Sequence, residues 1–338
     1  VNSTGFQIMG GGAEINGNGQ TYIYMAIRRG PLAQPESGTE VFAQDFVFSS
    51  EANAAGVQYY SGFPVDMSLF SGSRSVGGNH DVRSRLTGDK RMFSNATDAE
   101  TSAGTPWWDT NEGWKPSTGG TLSTDSVTWM WKRAPGFCDV VAYTGNQTAG
   151  LQINHNLGVV PEMMWVKSRN ATTPWAVYHK DIGNTKSLRL NDTNAAATEN
   201  FWNGTTPTAD TFTLGANSEV NFPSGRLYIA YLFATLPGVS KVGSFTGNGT
   251  SQDINCGFTS GARFVLLKRT DSSGTWFILD SERGIVAGND AILRPNTTTA
   301  EDNNYDIIDP LSSGFTINYV SAYNMNASGA TYIFYAIA

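Results

Sequence analysis

The sequence predicts an all-β chain of tandem antiparallel β-sandwich modules, jelly-roll-like and about one hundred residues each. Three observations carry this: an aromatic segment recurs at a near-constant step, apolar residues come in runs of strand length, and turn residues separate those runs. The segment Tyr228-Ile229-Ala230-Tyr231-Leu232-Phe233-Ala234 returns as Tyr332-Ile333-Phe334-Tyr335-Ala336-Ile337-Ala338 and as Tyr22-Ile23-Tyr24-Met25-Ala26-Ile27. A weaker copy is Ser126-Val127-Thr128-Trp129-Met130-Trp131, so the steps are 104, 102 and 104 residues. Such self-similarity marks repeated supersecondary units.

Other landmarks keep the period. Tyr143-Thr144-Gly145-Asn146 returns as Phe245-Thr246-Gly247-Asn248, Lys167 as Lys268, and Trp175 as Trp276. An Asn-x-Thr element appears as Asn95-Ala96-Thr97, Asn191-Asp192-Thr193 and Asn296-Thr297-Thr298. The runs Met163-Met164-Trp165-Val166 and Phe264-Val265-Leu266-Leu267 are continuous, which suits strands buried on both faces. Gly247-Asn248-Gly249, Asp271-Ser272-Ser273-Gly274 and Ser224-Gly225 supply turns. No three-four periodicity is sustained, so the crossover helices of a parallel α/β fold are missing.

The period divides the chain. Residues 1–30 read as the closing strands of a module that begins upstream, and Val1 in place of Met agrees with that. Modules then span 31–136, 137–237 and 238–338, and the strand at 332–338 is expected to close its own module's core. The first module diverges, with inserts at 71–78 and 105–120. The joints Gly30-Pro31, Ala134-Pro135-Gly136 and Leu236-Pro237-Gly238 are short and Pro-bearing, which predicts a semi-rigid rod.

Composition narrows the function. Charged residues are 15 % of the chain and the net charge is −7, with no basic stripe, so nucleic acid is not an expected partner. No apolar run approaches the ~20 residues of a membrane helix, and no membrane insertion is expected. Cys138 and Cys256 fall at different phases of the repeat and read as two separate thiols. His80, His155 and His179 lie in polar segments without metal-ligand spacing, and read as surface or turn side chains. Gly10-Gly11-Gly12 and Gly17-Asn18-Gly19 precede no helical pattern, so they are turns rather than phosphate loops. No cofactor, metal or catalytic residue is expected. Glu162 and Asp66 sit at equivalent places in two modules, with Asp181 and Asp280 nearby in the repeat, which reads as turn chemistry at strand ends rather than a unique carboxylate pair.

The ordered motifs Tyr143-Thr144-Gly145-Asn146, Gly158-Val159-Val160-Pro161-Glu162-Met163, Val166-Lys167-Ser168-Arg169, the Asn-x-Thr element and the closing aromatic strand resemble repeat modules of tail-fibre-like virion proteins of marine and environmental bacteriophages. The resemblance covers nearly the whole chain. It implies a structural and adhesive role on the virion surface, with other virion tail or head proteins as partners and assembly as a homotrimer; the expectation of a host cell-surface glycan as ligand rests instead on the tryptophan-bearing, turn-rich inserts of the first module. Alternatives are a head fibre or capsid decoration protein, a bacterial adhesin or filament subunit, and a polysaccharide-degrading fibre enzyme. The sequons, at Asn95 and Asn146 among others, then follow from Asn/Thr-rich strands and loops.

Four tryptophans are the candidate glycan contacts. Trp107, Trp108 and Trp114 lie in the first module's insert, and Trp202 precedes Asn203-Gly204. An exposed indole beside Asp or Asn stacks on a sugar face and leaves polar groups for its hydroxyls. The competing and stronger reading is that these rings close the ends of their cores.

Overall fold

A computed structural model of the chain describes residue 14 and residues 17–25, 33–47, 58–104, 106, 108, 110–116 and 125–338. It is nearly all β, in antiparallel sheets. The joint Gly30-Pro31 lies outside the described residues. Residues 21–25 form no strand, and Ile23, Tyr24 and Met25 are exposed. They therefore depart from their counterparts, which are central strands held between two neighbours.

The first large sheet is ordered β1-β8-β3-β4-β5-β6. Its strands are β1 (Phe42–Val47), β3 (Met67–Ser71), β4 (His80–Ser84), β5 (Lys90–Phe93), β6 (Thr101–Ser102) and β8 (Ser126–Trp131), while β2 (Tyr59–Tyr60) pairs with β7 (Gly113–Trp114). The second repeats the pattern with β9 (Cys138–Thr144), β11 (Met163–Ser168), β12 (Ala176–His179), β13 (Lys186–Arg189), β14 (Ala197–Thr198) and β16 (Leu227–Phe233), and β10 (Leu151–Asn154) pairs with β15 (Thr211–Leu214). The third uses β17 (Ser240–Thr246), β25 (Thr331–Ile337), β19 (Phe264–Arg269) and β20 (Trp276–Asp280), with Leu293 bridged to Ile278 where the others have a fifth strand. Its second layer is β18 (Gln252–Asn255), β24 (Gly314–Ile317) and β23 (Ile308–Leu311), and β21 (Asp290–Ile292) pairs with β22 (Asp302–Tyr305).

The registers agree as well. Met67 opposes Trp131, Met163 opposes Phe233, and Phe264 opposes Ile337. Tyr228 opposes Ser168 as Tyr332 opposes Arg269.

The continuous apolar runs follow from where each large sheet sits. Alternate residues point to opposite faces. In the second sheet Met164, Val166, Tyr178, Ala230 and Leu232 pack on Phe212 and Leu214 of the small sheet. The other face, with Met163, Trp165, Ile229, Tyr231 and Phe233, joins a core shared with Trp129 and Trp131 of the first sheet and Phe264, Tyr335 and Ile337 of the third. Phe233 lies 4.9 Å from Tyr335, and Trp131 lies 5.6 Å from Phe264, ring centre to ring centre. Each module thus owns an outer sandwich core and contributes one wall to a common inner core.

The expected rod is therefore corrected to a closed three-module body. At both described joints the Pro-Gly pair makes a tight turn: Gly136 and Gly238 have φ of 76° and 75°, and Phe137 and Val239 donate back to Ala134 and Leu236. Proline at the second turn position and a left-handed glycine at the third are the signature of type II. The chain reverses there instead of extending, and the apolar inner faces are buried together.

Closure is cyclic. Trp175 Nε1 donates across the joint to the Phe93 carbonyl at 2.8 Å, and Trp276 Nε1 to the Arg189 carbonyl at 3.0 Å. The first module has His80 at this position, facing the backbone of Arg294 and Thr297 in the third. The Asn-x-Thr element is the receiving loop. Asn95, Asn191 and Asn296 accept from the backbone N–H of His80, Trp175 and Trp276, while the Thr97, Thr193 and Thr298 carbonyls accept from Thr173, Gly274 and Gly78 of the next module around the ring. Asn296→Ala leaves the Trp276 N–H buried without its acceptor. A loss of about 1–3 kcal/mol is expected, measured by denaturant unfolding.

Candidate functional site

One further element of the joint differs among its three copies, and it shapes the candidate site. The backbone N–H of Glu100, Ala196 and Glu301 donates across each joint to the carbonyl of Arg169, Thr270 and Arg74 respectively. Between the first and second modules the side chains then form an ion pair, Arg169 to Glu100 at 2.7 Å. Between the third and first modules Arg74 and Glu301 do the same at 3.3 Å. Between the second and third the pair is Thr270 and Ala196, which are too short to fill the space, and a cleft of about 540 Å³ lies there.

Asp181 and Lys186 of the second module face Ser244, Phe245, Asp271 and Thr331 of the third across this cleft. Phe245 is half-buried and stacks on Tyr332 at 4.9 Å, which fixes its ring. The Arg269 guanidinium beside Asp271 holds its carboxyl below the usual carboxylate range. Burial works to raise Asp181, but Lys180, His179 and the Ser244 hydroxyl outweigh it and hold that carboxyl low too. Both are therefore ionised acceptors at neutral pH. Lys186 is exposed on β13, whose backbone is fixed by Trp202 Nε1 donating to the Lys186 carbonyl.

The tryptophan expectation needs correction. Trp202 is fully buried, its ring edge-on to Tyr178, and it does not line the cleft. Trp114 is fully buried between Tyr59 and Trp108, and Trp108, 6 % exposed, stacks on it at 5.0 Å. These rings close the cores of the first and second modules and leave no face for a sugar. Trp107 lies outside the described residues.

The histidines are corrected as well, because all three are buried. His155 stacks on Phe212 and faces the Thr208 carbonyl. Ser84, His179 and Asp280 occupy one register position in the three modules, yet each belongs to a different joint. Tyr231 reaches Ser84, the Phe334 backbone faces His179, and Trp129 Nε1 donates to Asp280. A serine, a histidine and an aspartate are thus present, but not as one constellation. Asp66 and Glu162 accept from the backbone N–H of Arg133 and Thr235, two residues beyond the closing strand, so these carboxylates brace the joints. Cys138 and Cys256 are free and buried. Among the described residues no group of three His, Cys, Asp or Glu side chains is placed to hold a metal ion.

Burial lowers the His80 pKa to about 4, with Arg283 adding to the shift. The unfolded chain takes that proton near pH 6.5, so the stability tied to neutral His80 is complete above 6.5 and lost as pH falls toward 4. The loss approaches about 3 kcal/mol by pH 4. Asp290 acts oppositely: burial raises its carboxyl to about 7, so the folded state holds that proton between the unfolded value and 7. In His80→Gln the drop in urea midpoint between pH 7 and pH 4.5 is expected to be smaller than in the wild type.

The model of a domain of unknown function, DUF7483, matches residues 107–338, more than half of the chain. The chain belongs to the DUF7483 family. In this DUF7483 protein the matched stretch holds β7, β8 and both later modules, and so contains every residue of the cleft. No curated protein and no solved structure matches the chain.

Sequence reasoning missed Phe245, Lys186 and Asp271 as site residues. The signal was in the repeat itself: aligning Arg169 with Thr270 and Glu100 with Ala196 exposes a joint that lacks its ion pair.

Proposed function

We propose that this DUF7483 protein is a non-enzymatic structural and adhesion protein of a bacteriophage particle, a tail-fibre component at the virion surface. The resemblance of its spaced motifs to tail-fibre-like modules supports the location and the adhesive role. Support for the non-enzymatic part comes from the carboxylates that line the cleft. Glycoside hydrolysis needs one carboxyl held protonated beside an ionised one. Asp181 and Asp271, the carboxylates of the cleft, are both held low. Asp290, whose carboxyl is raised, is fully buried, and its Oδ2 accepts from the Ile307 and Ile308 N–H groups.

Its partners in this reading are other virion tail or head proteins, further copies of itself in a homotrimer, and a host-surface glycan. Gold-labelled antibody raised against the chain is expected to decorate the tails of intact phage particles. Decoration of capsids alone would favour the head-fibre alternative, and unlabelled particles would remove the virion assignment. Light scattering on the purified chain tests the trimer.

A further inference from the structure

We infer that the cleft between the second and third modules is a saccharide-binding site, opened by the loss of an ion pair that the other two joints keep; this names the ligand site of the adhesion reading above and rests on it. All three joints share the same backbone bond, from Glu100 to Arg169, Ala196 to Thr270, and Glu301 to Arg74. Two of them carry a guanidinium and a carboxylate, and the third has a methyl and a hydroxyl. Truncating one partner alone would strand a partly buried charge; replacing both leaves room without that cost.

The lining that the shortened pair exposes has the chemistry of sugar recognition. Phe245, backed by Tyr332, offers a half-buried ring face to the C–H side of a pyranose. Asp181 and Asp271 are ionised acceptors for sugar hydroxyls, and Ser244 and Thr331 add exposed hydroxyl groups. Lys186 supplies an ammonium donor from the opposite wall. A cleft of about 540 Å³ falls within the range of roughly 300–1,000 Å³ of small-ligand sites. Its size suits a short segment of a polysaccharide. Contacts this few make each site weak, and several copies on one particle raise the effective affinity.

The test refills the joint. The double variant Ala196→Glu with Thr270→Arg installs the ion pair of the other joints, so the fold is expected to be kept or strengthened, with an unchanged or higher thermal midpoint. Titration calorimetry and ligand-detected NMR would use three probes: cellobiose, maltose and N,N′-diacetylchitobiose. Wild-type protein is expected to bind at least one of them saturably at millimolar concentration. The refilled variant and Phe245→Ala should each weaken that binding at least tenfold. Binding unchanged by refilling would place the sugar elsewhere, and absence of wild-type binding to all three would overturn the saccharide chemistry. Cell adsorption separates the two readings. If wild type and refilled variant adsorb equally well, adhesion stands and the cleft fails; if the wild type does not adsorb, the adhesion reading itself fails.

Discussion

Replacing Asp280 with alanine is expected to cost about 3–5 kcal/mol, among the largest single-residue losses in the molecule. Asp280 and Arg283 have fully buried side chains, paired at 2.6 Å. The same carboxylate accepts from Trp129 Nε1 at 2.9 Å and from the Arg283 backbone N–H at 2.9 Å. The Trp129 bond crosses from the first module to the third, and the Arg283 guanidinium lies over the Trp129 ring at 5.2 Å. Truncation therefore leaves the guanidinium, among the described residues, Glu301 and the Ile278 carbonyl as acceptors, and takes from a buried indole N–H the acceptor it has. Asp280→Asn keeps the shape and part of the acceptor capacity, so its loss should be smaller. Denaturant unfolding measures both. A loss below about 1 kcal/mol for the alanine variant would mean that water reaches this joint.

Phe264→Ala is the second large effect, at about 3–5 kcal/mol for a buried aromatic truncated to alanine. Its ring lies 5.3 Å from Phe42, 5.6 Å from Trp131 and 6.2 Å from Tyr335, so two of these neighbours belong to the first module and one to the third. The cavity opens in the core that all three large sheets share. The variant should therefore keep a single calorimetric transition, shifted down as a whole. A new low-temperature transition of the third module alone, with the remainder melting at the wild-type midpoint, would show that the modules are thermodynamically separate.

The same two-sided burial explains what was legible in the sequence. Met163-Met164-Trp165-Val166 reads as a strand with both faces covered, and both are. What covers the second face is invisible in a run of apolar letters, because a sister module and a partner subunit demand the same side chains. The joints were readable as Pro-Gly turns, yet turn chemistry alone does not say whether the chain extends or folds back. His80 sits between Asn79 and Asp81 and so reads as a surface residue; only the register shows that it takes the place of Trp175 and Trp276. Trp108 and Trp114 misled for a similar reason. Their flanks are polar and turn-rich, but the two rings stack on each other and cover the end of a core.

Closure of the three modules around a shared core is tested most directly by small-angle X-ray scattering on the chain diluted until in-line light scattering gives the mass of a single chain, so that assembly into the proposed trimer does not enter the radius. A compact body of 338 residues has an expected radius of gyration of about 20 Å. Three modules of about 13 Å each, placed in line, would give more than about 30 Å. A value near 20 Å with a bell-shaped Kratky curve is predicted, whereas a value above 30 Å would show that the modules form the rod their short proline joints first suggest.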